Sequence, residues 1–403
     1  MKKNFFFSGL THITTVLTGY FSFFIYARFF SVYEFGILSY CIALSMILGV
    51  FVDYGYNTKL PIDISKDVSG ITRITFKAFY CKLSLSIIVI ILISGITIFE
   101  AGNKETQILI VFVAAKIFYI LGKTFLSAYR AINRFDVESK YNTLNNILLI
   151  FLVTLVLLKL PSLFYISLAY LVSRLIFLAF SAYRFVIDFG YCLSIPKLKN
   201  EHIEMIPYAS QGIIAILFSN VDTVILKELI DPISFGLHQA GTKYVAATIV
   251  FFGVIYDVLT PKLANLYISN KSKFKRYLRT SNRTIFLIGA STALLIYFFR
   301  EDLVILSFGL DFEPLEEFMW LFSILIFLRF FGLMYNICLT VTGHQKERST
   351  YLFYSLIILI TLQLSLGTAY GIIGILLSRI AANFILFSAE SIFIKRKLGS
   401  FFL

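Results

Sequence analysis

The stretch AAKIFYILGKTFLSAYRAINRF (residues 114–135) places Lys116, Lys123 and Arg130 seven residues apart in an otherwise apolar run. At about 100° per residue, seven steps fall within roughly 20° of whole turns, so one helix face carries all three cations. A run of this length and composition has the dimensions of a membrane span. A cationic stripe inside it needs a wet cavity or counter-ions, because a charge at mid-bilayer costs at least about 2.5–3.5 kcal/mol.

The rest of the chain agrees on the solvent. It is 58% hydrophobic and only 15% charged, where soluble domains carry roughly 25% charged residues. The composition predicts an all-α integral membrane protein. The net charge of +13 does not mark a nucleic-acid binder, because the basic residues lie in short segments between apolar runs. The apolar run after Met1-Lys2-Lys3 extends to Phe30, is span-length and lacks a small-residue cleavage site, so it reads as a first helix and not a signal peptide. Cys41, Cys81, Cys192 and Cys338 are scattered, and predict neither a disulfide nor a metal site.

Spans are expected near 5–30, 37–56, 77–99, 107–129, 141–160, 163–185, 206–228, 240–260, 283–299, 317–341, 351–367 and 371–394. With these twelve, alternate segments hold 24 basic residues on one side and five (Lys104, Lys159, Lys227, Lys243 and Arg300) on the other. That asymmetry predicts cytoplasmic termini. The acidic segment REDLVILSFGLDFEPLEEF (300–318) falls on the outer side, in agreement.

Twelve spans suggest two parallel six-helix repeats. SVYEFGILSY (31–40) after the first span is echoed by DPISFGLHQA (231–240) after the seventh, and VFVDYG (50–55) by VIYDVL (254–259). The expected organisation is an N-terminal lobe (1–190), a cytoplasmic linker (191–205) and a C-terminal lobe (206–403), around a central cationic cavity. Within the linker region, PKLKNEHIEMI (196–206) has the composition of a helix lying on the cytoplasmic surface.

Seven basic residues fall within spans: Arg28, Lys82, Lys116, Lys123, Arg174, Arg329 and Arg379. Arg28 and Lys82 lie near span ends, where snorkelling explains them. For the deeper ones, two readings stand: the lining of a hydrated anion cavity, or pairing with buried acids. The acids clearly inside spans are Asp222 and Glu390, with Asp53 and Asp257 near cytoplasmic ends, too few for complete neutralisation. Lys116, Lys123, Arg174, Arg329 and Arg379, with Arg28, are therefore the candidate anion-binding set. Asp222 and Glu390 are candidates for ion coupling, since an unpaired carboxylate in low dielectric favours its protonated form. An interhelical bridge to Arg329 or Arg379 is the competing reading for Asp222.

The chain has no G-x-x-x-x-G-K-[ST] loop, no H-E-x-x-H and no paired-carboxylate motif, and His12, His202, His238 and His344 are far apart. No cofactor is implied, and transport fits better than catalysis.

The order of several motifs resembles a known family. YARFFSVYEFGILSY (26–40), DYGYNTKLPIDISKD (53–67), SNVDTVILKEL (219–229), FGLHQAGTKY (235–244), TPKLANLY (260–267) and GLMYNICLTVTGHQK (332–346) are similar to the polysaccharide-transporter branch of the multidrug/oligosaccharidyl-lipid/polysaccharide exporter superfamily. His238 departs from it, standing where the family often has Tyr. The resemblance implies a Wzx-type flippase of the bacterial inner membrane. Such a protein moves an undecaprenyl-pyrophosphate-linked oligosaccharide from inner to outer leaflet, with the prenyl tail left in membrane lipid. It also places a polysaccharide polymerase and a chain-length regulator among the expected partners. A diphosphate suits Arg forks and Lys point charges in a low-dielectric site. Three alternatives stand beside it. A multidrug exporter of the same superfamily calls for acids in its cavity, a lipid II flippase typically has two further helices, and a membrane polymerase calls for a large outer loop.

Overall fold

The computed structural model describes residues 14, 18, 19, 22–99, 103–193 and 198–398. Lys2, Lys3, His12 and most of the first expected span lie outside the described residues, as do 194–197 and the side chain of Asp257.

Every described element is helical. The end of the first helix, α1 (22–29), is followed by α2 (Val32–Asp53), α3 (Tyr56–Lys66), α4 (Ile71–Phe99), α5 (Lys104–Ala131), α6 (Phe135–Lys159) and α7 (Leu163–Phe189). Then come α8 (Leu198–Leu229), α9 (Pro232–Ser269), α10 (Lys271–Phe298), α11 (Arg300–Phe308), a 3₁₀ segment (Leu310–Phe318), α12 (Met319–Val341) and α13 (Gln345–Leu398). Eight helices among the described residues are long and apolar enough to cross a membrane, or nine if α10 and α11, bent by 78°, form one broken span. This describes an integral membrane protein. The 54-residue α13 contains a backbone break at Gly371 (φ 55°, ψ −133°), which separates 345–370 from 372–398. A left-handed φ of this kind carries no steric penalty only at glycine.

Three expected connections turn out to be helical. The 57–76 loop contains α3, in which Pro61 is accommodated. The 261–282 loop is the end of α9, running through Pro261, and the basic start of α10, separated by Asn270 alone. The side chain of Asn270 accepts from the Lys273 amide at 2.9 Å and caps α10. Residues 198–205 of the expected linker form the first turns of α8, continuous to Leu229.

The chain forms two compact units. One contains Ile37–Asn220, the other Phe23–Gly36 with Val221–Leu403. In the first unit, α5 packs most closely on α7, around Phe76, Phe125, Tyr129 and Phe185. In the second, Phe308 and Phe312 pack edge-on against Phe35. The two echoing sequence segments also meet there. A β-carbon at Gly36 would lie 3.2 Å from the Gly236 Cα, and one at Gly236 would run into the Val32 carbonyl oxygen. The equivalent Phe-Gly pairs 35–36 and 235–236 thus let the first turns of α2 and α9 cross backbone to backbone. Ile87, Ile91, Phe151, Phe180, Leu158 and Phe384 are exposed, as expected of helix faces that meet lipid.

Candidate functional site

In the first unit the stripe is real, and it converges on an aromatic ring. Lys116 and Lys123 on α5 place their Nζ atoms 5.6 and 5.9 Å from the centre of the Tyr119 ring, and Arg174 of α7 places its Cζ at 4.5 Å. Tyr119 sits three residues after Lys116 and four before Lys123, so helix geometry puts it between them. Its other neighbour is Phe177, stacked at 5.3 Å. Gly49 of α2 makes room for this arrangement: a β-carbon there would lie 2.8 Å from Cγ of Lys116. Cation–π attraction partly offsets the desolvation of the three cations.

Only some of the charge is neutralised. Lys123 Nζ lies 3.7 Å from Oε1 of Glu138, and Arg130 grips the same carboxylate through two hydrogen bonds, Nε at 3.0 Å and Nη2 at 2.5 Å. Lys116 has no ion pair or hydrogen bond among the described residues. Glu138, buried on the first turn of α6, is an acid beyond the four near or within spans that the sequence offers these cations. The chain reverses between α5 and α6 within three residues, with Asn133 at φ 60°, and this brings position 138 back beside 130. A short turn after Arg130 was the available signal.

Lys82 corrects the snorkelling expectation. Its side chain is 0% exposed and pairs with Asp53 at 2.9 Å, with Asn57 Oδ1 accepting at 2.8 Å. Its position near a span end says nothing of burial, because α3 folds back and supplies Asn57.

In the second unit, Arg379 on the last part of α13 pairs with Asp222 of α8 at 3.0 Å, both almost fully buried. The other Asp222 oxygen accepts from the Thr223 amide at 3.1 Å. Asp222 is therefore not the unpaired carboxylate of the coupling expectation; the bridge is what forms. His238 and Gln239 of α9 lie buried alongside, with Gln239 Nε2 donating to Thr223 Oγ1 at 3.3 Å. Arg329 of α12 has Arg379 and Asp222 as electrostatic neighbours but no ion pair among the described residues.

Lys243, which the charge pattern counts with the outer segments, lies well inside a helix. Because α9 starts at Pro232, Lys243 is about three turns inside the helix. Its Nζ lies 4.0 Å over the Phe23 ring, and Asp222 is its acidic neighbour. Asp231 explains the earlier helix start: its carboxylate accepts from the Ile233 and Ser234 amides at 3.1 and 2.9 Å, with Pro232 at N1. The Asp-Pro pair was the legible signal for this longer helix.

Arg28 is exposed, and its Nη2 donates to the carbonyls of Ile305 and Leu306 at 3.0 and 2.6 Å in the last turn of α11. Glu390 is 3% exposed and has no ion pair among the described residues; its Oε2 has no hydrogen-bond partner, and Arg348 is its charged neighbour.

The cations around Tyr119 offer positive charge inside an all-helical membrane protein. Comparison with known proteins gives the family. Residues 1–267 match the family described as "Polysaccharide biosynthesis protein", and the chain belongs to that family. It is 23% identical over 375 residues to the "Putative O-antigen transporter" of Escherichia coli (strain K12), covering 90% of this chain and 89% of that one. Among solved structures it is similar to the lipid II flippase MurJ in an inward closed conformation, at a TM-score of 0.75 and 15% identity over 97% of this chain and 87% of that one. It is also similar to an inward-facing multidrug resistance MATE transporter of the MOP superfamily, at a TM-score of 0.70 and 14% identity over 99% and 96%. The fold is that of the MOP-superfamily transporters.

Proposed function

We propose that this protein is a flippase that carries an undecaprenyl-pyrophosphate-linked oligosaccharide from the inner to the outer leaflet of a bacterial cytoplasmic membrane. The cargo serves O-antigen or related surface polysaccharide synthesis, and transport proceeds by alternating access. The observation that carries this reading is the Lys116–Lys123–Arg174 cluster around Tyr119, where among the described residues Glu138 is the one carboxylate that pairs with either lysine. Half-buried cations inside a membrane span cost free energy that an anion offsets, and a pyrophosphate supplies both charge and multiple acceptors. Lys116 and Lys123 act as mobile point charges and Arg174 as a planar fork. In the second unit, Arg329 and Lys243 are the corresponding anion contacts, while Arg379 is held by Asp222.

The fold of the lipid II flippase relative supports movement of a lipid-linked sugar, and family membership supports polysaccharide synthesis over drug export. Twelve spans follow if the first helix, α9 and the two parts of α13 each cross once, and the charge bias then puts both termini in the cytoplasm. Coupling falls to Glu390, a buried carboxylate with an unpartnered oxygen. A polymerase and a chain-length regulator in the same membrane are the expected partners.

Loss of the protein in cells should make single lipid-linked repeat units accumulate on the cytoplasmic face, as read by mass spectrometry with sided labelling. Purified protein in proteoliposomes should render such a lipid accessible from the opposite leaflet. Accumulation of repeat units already on the outer face would point to a polymerase and overturn the proposal.

A further inference from the structure

Beside the cation cluster, with Phe177 as a shared wall, a groove lies in the first unit between α6 and α7, with a volume of about 390 Å³. That falls within the range of small-ligand clefts. Its walls include Leu144, Leu148, Phe177 and Phe180, and its polar lining includes Lys140 and Asn145. Leu144 and Phe180 are exposed at its rim, 51% and 58%, on helices long and apolar enough to cross a membrane.

The polar groups are ordered by depth. Lys140 is exposed, on the second turn of α6, at the end that the positive-inside bias puts at the cytoplasmic leaflet. Asn145 is five residues further in, about 7.5 Å along the helix. It is 4% exposed, its Oδ1 accepts from Ser173 at 3.2 Å, and its Nδ2 has no hydrogen-bond partner. Leu148 is another three residues deeper, about 4.5 Å. A cation at headgroup depth, a spare N–H donor below it and a slot of Leu and Phe below that match three parts of one molecule. They suit the phosphate, the ester carbonyl and the acyl chain of a diacyl phospholipid.

We propose that the α6–α7 groove is a structural binding site for an anionic diacyl phospholipid of the cytoplasmic leaflet. Lys140 takes the phosphate, Asn145 Nδ2 donates to an ester carbonyl, and the apolar wall takes the chain. The donor distinguishes this occupant from a prenyl phosphate, which has no ester carbonyl to accept from Asn145. A basic residue at the mouth of an interhelical groove also favours anionic over zwitterionic headgroups.

The test uses full-length protein in detergent, with native mass spectrometry of phospholipid adducts. Phosphatidylglycerol should be retained in preference to phosphatidylethanolamine, and its diether analogue about threefold more weakly, reflecting the lost carbonyl acceptor. Lys140→Ala should reduce phosphatidylglycerol retention about fivefold. Asn145→Leu should abolish the ester-over-ether preference, and Leu144→Trp should block retention. Equal retention of ester and ether lipids by the wild-type protein overturns the proposal without needing any variant to fold. Displacement by undecaprenyl phosphate at equimolar concentration overturns it as well, since the groove would then belong to the lipid carrier.

Discussion

Asp222→Asn removes one partner of a buried ion pair. Asp222 and Arg379 are in contact at 3.0 Å, with side-chain exposures of 5% and 10%. At an effective dielectric near 20, two charges at that distance attract by roughly 5 kcal/mol. Removing one member of such a pair typically costs about 3–5 kcal/mol, because the survivor is left charged and desolvated. Here the survivor is Arg379, and Arg329 is a second cation near it, so the upper half of that range is expected. Asn keeps an oxygen for the Thr223 amide, so the loss isolates the charge and not the local hydrogen bond. The assay is equilibrium unfolding in detergent micelles for wild type, Asp222→Asn, Arg379→Gln and the double variant. The double variant should recover all but about 1 kcal/mol of the single-variant loss, because neither charge is then left unpaired in the interior. Additive losses, or an Asp222→Asn protein as stable as wild type, would refute the bridge and return Asp222 to the coupling candidates.

Other outcomes follow from the same geometry. Lys116→Ala, Lys123→Ala and Arg329→Ala should each abolish flipping in proteoliposomes at normal protein level, with Lys123→Arg milder; normal flipping by the Ala variants would make these cations idle. Cys introduced at Asn270 should react with an impermeant thiol reagent only from the cytoplasm and Cys at Ser307 only from outside, read by gel shift; labelling of both from one side would break the twelve-span topology. The Asp231 carboxyl is held below the usual aspartate range by its hydrogen bonds to Ser234 and Ile233. A depressed folded-state value means its stabilisation is present above the unfolded aspartate pKa and is lost as pH falls through the folded one. Asp231→Ala should therefore cost about 1 kcal/mol at pH 7, with a difference from wild type that shrinks in acid, as measured by thermal unfolding across pH.

Composition and span-length apolar runs were enough to establish a helical membrane protein, because no lipid-exposed backbone can leave its polar groups unpaired and continuous apolar stretches leave helices as the solution. The seven-residue spacing of Lys116 and Lys123 likewise put both on one face from helix periodicity alone, and Tyr119 between them was legible for the same reason. Partnership was a different matter. Lys82 meets Asn57 because α3 folds where a loop was expected, Lys123 meets Glu138 because the chain reverses at Asn133, and Asp222 meets Arg379 from helices more than 150 residues apart in sequence. Whether a buried cation is neutralised depends on distances of a few ångströms between elements, and Coulomb energy at that range changes by kilocalories with one turn of helix. Local periodicity carries no information about such distances. The sequence alone could place charge inside the membrane, and only the tertiary packing decided which of those charges meet a carboxylate.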